Sequence, residues 1–246
     1  MNHYVHGFRG FGFGALLLLA SVARAESPPR PAIVELYTSE GCSSCPPAEA
    51  LLEKLATRPD VLPLAFHVDY WDDLGWQDRF SLKQASARQE SFARTLRLST
   101  TGTPQFVVNG RASVWGARPE QIENALKTPR RDVPIVANND GDALIVRAPA
   151  RITADLYEVF VMSYLPHAIT AIERGENAGR NLSEVNVVRD VRKLGQLSSA
   201  AQEWRVAVSS FPRDAGRAVV LVQAAGTGEI VGARDLQLRS EGSGER

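Results

Sequence analysis

The run AIVELYTSEGCSSCPPAEALLEKLA, residues 32–56, decides how this chain is read. Ala32 to Tyr37 has the apolar, β-branched density of a buried strand. Ala48 to Ala56 places Leu51, Leu52 and Leu55 at helical spacing. Between them stand Cys42 and Cys45, the only two cysteines of the chain. A bond between them would close a ring over two residues and remove little unfolded-state entropy, so it would stabilise the fold little. The pair therefore reads as chemistry.

Outward from this run the pattern continues. Val61 to Val68 reads as a second buried strand, and strand, helix, strand in that order predicts a right-handed crossover with a parallel pair. Asp69 to Gly75 is an acidic, aromatic turn. Gln77 to Leu98 reads as a helix with Phe80, Phe92 and Leu96 among its apolar positions. Thr103-Pro104 introduces a strand at Gln105 to Val108, Asn109-Gly110 is a hairpin turn into Ala112 to Trp115, and Arg118-Pro119-Glu120 opens a helix from Glu120 to Lys127. Farther on, Ala143 to Arg147, Leu156 to Ser163, Trp204 to Ser209 and Ala218 to Ala224 have strand length and patterning, separated by turns such as Asn138 to Gly141 and Gly226 to Gly228.

At the N-terminus, polar residues with basic character to Arg9, an apolar run from Phe11 to Val22 and the small-x-small site Ala23-Arg24-Ala25 make residues 1–25 a secretory signal peptide by pattern. The mature chain is then expected in the periplasm or outside the cell, with no membrane span. Its 28 basic and 28 acidic residues cancel and form no basic stripe, which argues against a nucleic-acid surface. Residues 240–246, Ser240 to Arg246, contain nothing apolar and are expected to be disordered.

A Cys-x-x-Cys pair after a strand and before a helix places thiols where helix N–H groups and the positive end of the dipole favour a thiolate. Cys42 is then the attacking sulfur, expected to be the more exposed and acidic, and Cys45 resolves the mixed disulfide. Pro46 and Pro47 lack N–H groups and predict an irregular first turn, which weakens that dipole. The arrangement resembles the thioredoxin superfamily. Gly102-Thr103-Pro104-Gln105-Phe106 is similar to the segment in which that superfamily places a cis proline opposite its disulfide. The resemblance implies that the Thr103–Pro104 bond is cis, and that Thr103 and Pro104 bind substrate. Over the whole chain, Tyr37 to Ala48, His67 to Asp72 and Gly175-Glu176-Asn177 resemble a secreted bacterial family known only as domain of unknown function 1223, which brings no established activity. The architecture expected from both is an α/β thioredoxin-like domain over residues 26–130, followed by a β-rich domain, a small β-sandwich, over 131–239.

Glu35, seven positions before Cys42, is a candidate general base by the same resemblance, useful if burial raises its pKa. His67, Asp69, Asp72 and Asp73 read as a solvated turn capping strand and helix. Trp71, Trp76 and Trp115 read as core or as lining of a substrate groove, with Trp71 the substrate-binding candidate. In the β-rich half, Gly175 to Asn181 is richer in glycine and polar side chains than a turn requires. This loop is expected to pack near Cys42, with Arg180 gripping a carboxylate such as Glu176. With only His67 and His167 outside the signal segment, a closed zinc site is poorly supplied, and no metal or other cofactor is expected. The function expected is exchange of disulfides with protein or small-molecule thiols. A copper-binding carrier that uses the same two thiols without turnover is the alternative.

Overall fold

The computed structural model describes Met1 and residues 30–151 and 155–239, so the signal-peptide and disordered-tail expectations lie outside the described residues. Strand β1 (Ala32–Thr38) is buried at every position. It leads into helix α1 (Pro46–Ala56), and β2 (Val61–His67) returns in parallel beside β1, from Ala32 opposite Val61 to Thr38 opposite His67. Pro46 and Pro47 occupy the first positions of α1, where a missing N–H costs nothing, so the irregular turn does not occur. Helix α2 (Lys83–Thr95) follows, shorter than expected. Strands β3 (Gln105–Val108) and β4 (Ala112–Trp115) form the expected hairpin, with β3 antiparallel to β1, and α3 (Pro119–Leu126) closes this half.

The second half holds β5 (Val136–Asn139), β6 (Ala143–Ala148), β7 (Tyr157–Ala171), β8 (Asn181–Gln196), β9 (Gln202–Ala207), β10 (Arg217–Ala224) and β11 (Ile230–Gln237). These correct the expected fold class. The protein is mostly β, and β8 joins β2 in parallel at Ala65 and Val187, so one mixed eight-stranded sheet, β11-β10-β7-β8-β2-β1-β3-β4, runs through both halves. It is therefore not a helix-flanked thioredoxin-like domain followed by a sandwich. The physical reason is the length of β7 and β8, 15 and 16 residues, which carries their hairpin alongside β2.

The two faces of the sheet bury different cores. Ile33 and Tyr37 of β1, Leu64 and Phe66 of β2, and Met162 and Tyr164 of β7 pack with Ala85 and Phe92 of α2. The opposite face buries Val34 and Leu36 against Leu52 and Leu55 of α1 and Ile122 of α3. Farther along it buries Val159, Val161, Val220 and Val222 against Leu144 and Val146 of the small sheet β5-β6-β9. Among the described residues no helix is long and apolar enough to cross a membrane.

Candidate functional site

The chain leaves β1 through Ser39, Glu40 and Gly41 and enters α1 at Cys45. The Cys42 N–H donates to the Ser39 carbonyl (3.1 Å) and the Cys45 N–H to the Cys42 carbonyl (3.2 Å). These turns bring the Cα atoms of Cys42 and Cys45 to 5.4 Å, and the two are joined by a disulfide. The amides of Ala48 and Glu49 are both spent on the Cys45 carbonyl. Ser44 brings its hydroxyl to 3.4 Å from Cys42 Sγ.

Cys42 does not project into solvent as expected. Both cysteines are 0 % exposed, although Ser43 and Ser44 between them are open to water. The connection between β7 and β8 packs onto this turn. The Asn177 carboxamide donates from Nδ2 to the carbonyls of Glu40 (2.9 Å) and Cys42 (3.0 Å), and Glu176 Oε2 accepts from the Ser43 amide (3.2 Å). The Gly175–Asn181 segment thus does reach the cysteines. Arg180 contributes differently from expectation: its side chain is exposed, Glu176 is held by Ser43, and Arg180 closes the turn through backbone bonds to Ile172 and Asn177.

Trp71 connects this turn to the proline segment. A Cβ at Gly41 would lie 3.6 Å from the Cβ of Trp71, and the Trp71 indole N–H donates to Thr103 Oγ1 at 2.9 Å. The Thr103–Pro104 bond is cis, as the resemblance implies. Trp115, partly exposed, lies against Gly102, and the Trp76 indole donates to Glu40 Oε2 at 2.7 Å.

Glu35 is buried on the sheet face opposite α1, whose start carries Cys45. Arg88 of α2 grips its two oxygens at 2.7 Å each, and the Tyr37 hydroxyl adds a bond of 2.8 Å. A carboxylate held this way serves as a structural ion pair, not as a base turned toward the cysteines.

Behind the disulfide turn is a polar cluster that sequence reading missed, except for His67, which it placed in a solvated turn. His67 is fully buried. Its Nδ1 lies 2.7 Å from Asp78 Oδ2, and its Nε2 lies 3.7 Å from Glu184 Oε1 of β8. Asp78 Oδ2 also accepts from the Glu40 amide (2.8 Å), and Glu49, one helical turn after Cys45, accepts from the Thr38 hydroxyl (2.7 Å). Burial alone would push His67 down, but the carboxylates of Asp78, Glu184 and Glu49 outweigh it and hold the imidazolium up to about 10. Burial, reinforced by Glu40, Glu49 and Asp78 and opposed by His67, raises Glu184 to about 8. Burial also raises Glu49. Two of the other acids of the turn do cap it: Asp72 accepts from Ser81 (2.7 Å) and the Asp78 amide (3.2 Å), and Asp69 pairs with Ser86, while Asp73 is exposed. Among the described residues, no group of three or more His, Cys, Asp or Glu side chains is arranged to hold a metal ion.

The family model described as protein of unknown function DUF1223 matches residues 33–223, and the chain belongs to that family. A crystal structure of an Agrobacterium tumefaciens protein, a structural-genomics target, is similar at a TM-score of 0.73 and 29% identity, covering 87% of this chain and 98% of its own. An alkylpurine DNA glycosylase from Pseudomonas fluorescens, solved bound to DNA, aligns at 20% identity over 46% of this chain and 28% of its own, and its TM-score of 0.17 carries no argument. No curated protein matches the chain.

Proposed function

We propose that this member of the DUF1223 family is an exported thiol–disulfide oxidoreductase acting through Cys42 and Cys45. The observation that carries the reading is a disulfide closed over two residues between the end of a strand and the first turn of a helix, with Trp71 tying it to the cis Thr103–Pro104 segment. That combination is similar to the thioredoxin-superfamily site, set here in a different sheet. Such a bond adds little stability, so its retention fits a chemical use. Export fits both the N-terminal pattern and a disulfide in an oxidising compartment.

In the oxidising direction a substrate thiolate attacks Cys42 Sγ, the Cys42–Cys45 bond breaks, and Cys45 leaves as a thiolate that takes up a proton. A second substrate thiol, deprotonated, attacks the mixed disulfide and releases the Cys42 thiolate. Two electrons pass from the substrate dithiol to the cysteine pair, and the same steps reversed reduce a substrate disulfide. Insulin reduction and oxidative refolding of a reduced disulfide protein test both directions. Turnover in one of them, abolished by Cys42→Ser, is the expected result; turnover that survives Cys42→Ser, or none in either assay, overturns the reading. One cuprous ion bound per reduced chain without turnover would favour the carrier instead.

A further inference from the structure

The disulfide cannot be attacked where it lies. Displacement at Cys42 Sγ needs a thiolate in contact with that sulfur, yet both cysteines are 0 % exposed. Over the turn that carries them lies a segment from the far half of the chain, attached by two bonds from one Asn177 carboxamide and one from the Ser43 amide to Glu176. Gly175 adds close packing, since a Cβ there would lie 3.1 Å from the Trp76 Cβ, and its φ of +80° favours glycine. Gly179, at φ +81°, is the matching pivot at the other end. Below the pivots the hairpin is firmly built: Ile172 and Arg180 are joined backbone to backbone (2.9 Å), and Gly179 donates to Ile172 (2.8 Å). Bonds such as those at the tip exchange for water at small net cost, whereas the β7–β8 ladder below is long and continuous. Asn177 Oδ1, buried, makes no hydrogen bond among the described residues, so the tip is not held to its full capacity.

We propose that the β7–β8 tip, Gly175 to Gly179, is a strap that closes over the Cys42–Cys45 disulfide and must lift before thiol exchange. This rests on the redox reading of the two cysteines and adds how access to them is controlled. Asn177 is a positioning residue: it holds the strap to the carbonyls on either side of Gly41 and takes no part in the sulfur chemistry.

The test uses the full-length oxidised chain and dithiothreitol, whose thiolate attacks Cys42 Sγ and whose second thiol completes the two-electron reduction as the reagent cyclises. The rate is followed by trapping the released thiols with an alkylating agent under native conditions. Asn177→Ala should speed reduction by about tenfold or more, the equivalent of one or two lost hydrogen bonds. Glu176→Gln, a surface change that leaves folding intact, should speed it by roughly twofold to fivefold, as for one weakened exposed contact. Wild-type rates in both variants would overturn the strap; if Asn177→Ala does not fold, the Glu176→Gln rate decides alone. Dithiothreitol reduces any accessible disulfide, so this outcome is independent of enzymatic turnover. Failure of the insulin and refolding assays would remove the redox reading and leave these rates unchanged.

Discussion

Two buried polar groups lie on opposite faces of the same sheet, and they are built to different standards. On the α2 face, both oxygens of Glu35 are taken by Arg88 and Tyr37, and Arg88 also donates to Gln223 of β10 at 3.0 Å. On the α1 face, behind the disulfide turn, His67 Nε2, both oxygens of Glu184 and Glu40 Oε1 make no hydrogen bond among the described residues, although Arg79 comes to 3.9 Å from Glu40. A completed network pins elements together, here β1 to α2 and β10. The incomplete one beside the disulfide turn gathers a buried imidazole and carboxyls whose affinity for protons burial raises. Of these two networks, the one behind the disulfide turn is the less completely hydrogen-bonded.

The largest expected effect tests the completed side. Glu35→Ala leaves the Arg88 guanidinium buried without its carboxylate, and breaking a buried pair from one side costs on the order of 3–5 kcal/mol. Denaturant unfolding should show that loss, while the rate of Cys42–Cys45 reduction in the remaining folded protein stays at the wild-type value. A loss below about 1 kcal/mol would mean that the Glu35–Arg88 pair is not the clamp its geometry describes.

The incomplete side predicts a pH dependence of definite sign. His67 is raised from 6.5 to about 10, so the stability it contributes is complete below pH 6.5 and is lost as pH rises through 10. Glu184 is raised from 4.5 to about 8, so the folded state holds its proton while the unfolded chain has released it, and stability again falls as pH climbs through 8. Both act in the same direction, and the unfolding midpoint should drop from pH 6 to pH 9. Glu184→Gln keeps the neutral shape without the proton. It should match the wild type near pH 5 and exceed it at pH 9 by at least about 1 kcal/mol, roughly the worth of one pKa unit. Equal midpoints at pH 9 would show that Glu184 does not hold a proton in the fold.

How far the sequence reaches can be seen in particular residues. Strands β1 and β2, helix α1 and the β3–β4 hairpin are legible because each follows a local period or a turn signal, Asn109-Gly110 most clearly. The joining of the two halves is not, because β8 carries Arg189, Asp190, Arg192 and Lys193 beyond its apolar start and reads locally as a short strand. Its pairing of Val187 with Ala65 depends on residues more than a hundred positions away. The site divides in the same way. Cys42, Cys45, Thr103, Pro104 and the Gly175–Asn181 loop stand out by type and spacing. Glu49 looks like an ordinary helix-start acid and Glu184 like a strand-surface charge, and only the assembled sheet buries them against His67.

The smallest expected effect separates the strap from the residue that sequence reasoning placed at its centre. By type, Arg180 reads as a gripping residue, since a guanidinium beside glycines and asparagines can hold a carboxylate. In the fold, the carboxylate in question, Glu176, accepts from the Ser43 amide three residues short of the pivot at Gly179, and Arg180 serves through its main chain, accepting from the Ile172 amide at 2.9 Å and donating to the Asn177 carbonyl at 3.1 Å. Any residue with a backbone N–H supplies both bonds, so Arg180→Ala should change stability by no more than about 0.5 kcal/mol, as for an ordinary surface substitution. It should also leave the dithiothreitol reduction rate at the wild-type value, in contrast to Asn177→Ala, whose side chain bonds the Cys42 carbonyl. A faster reduction in Arg180→Ala would place the guanidinium in the strap's closure after all, and the closure would then be ionic as well as amide-based, with a salt dependence that Asn177 alone does not confer.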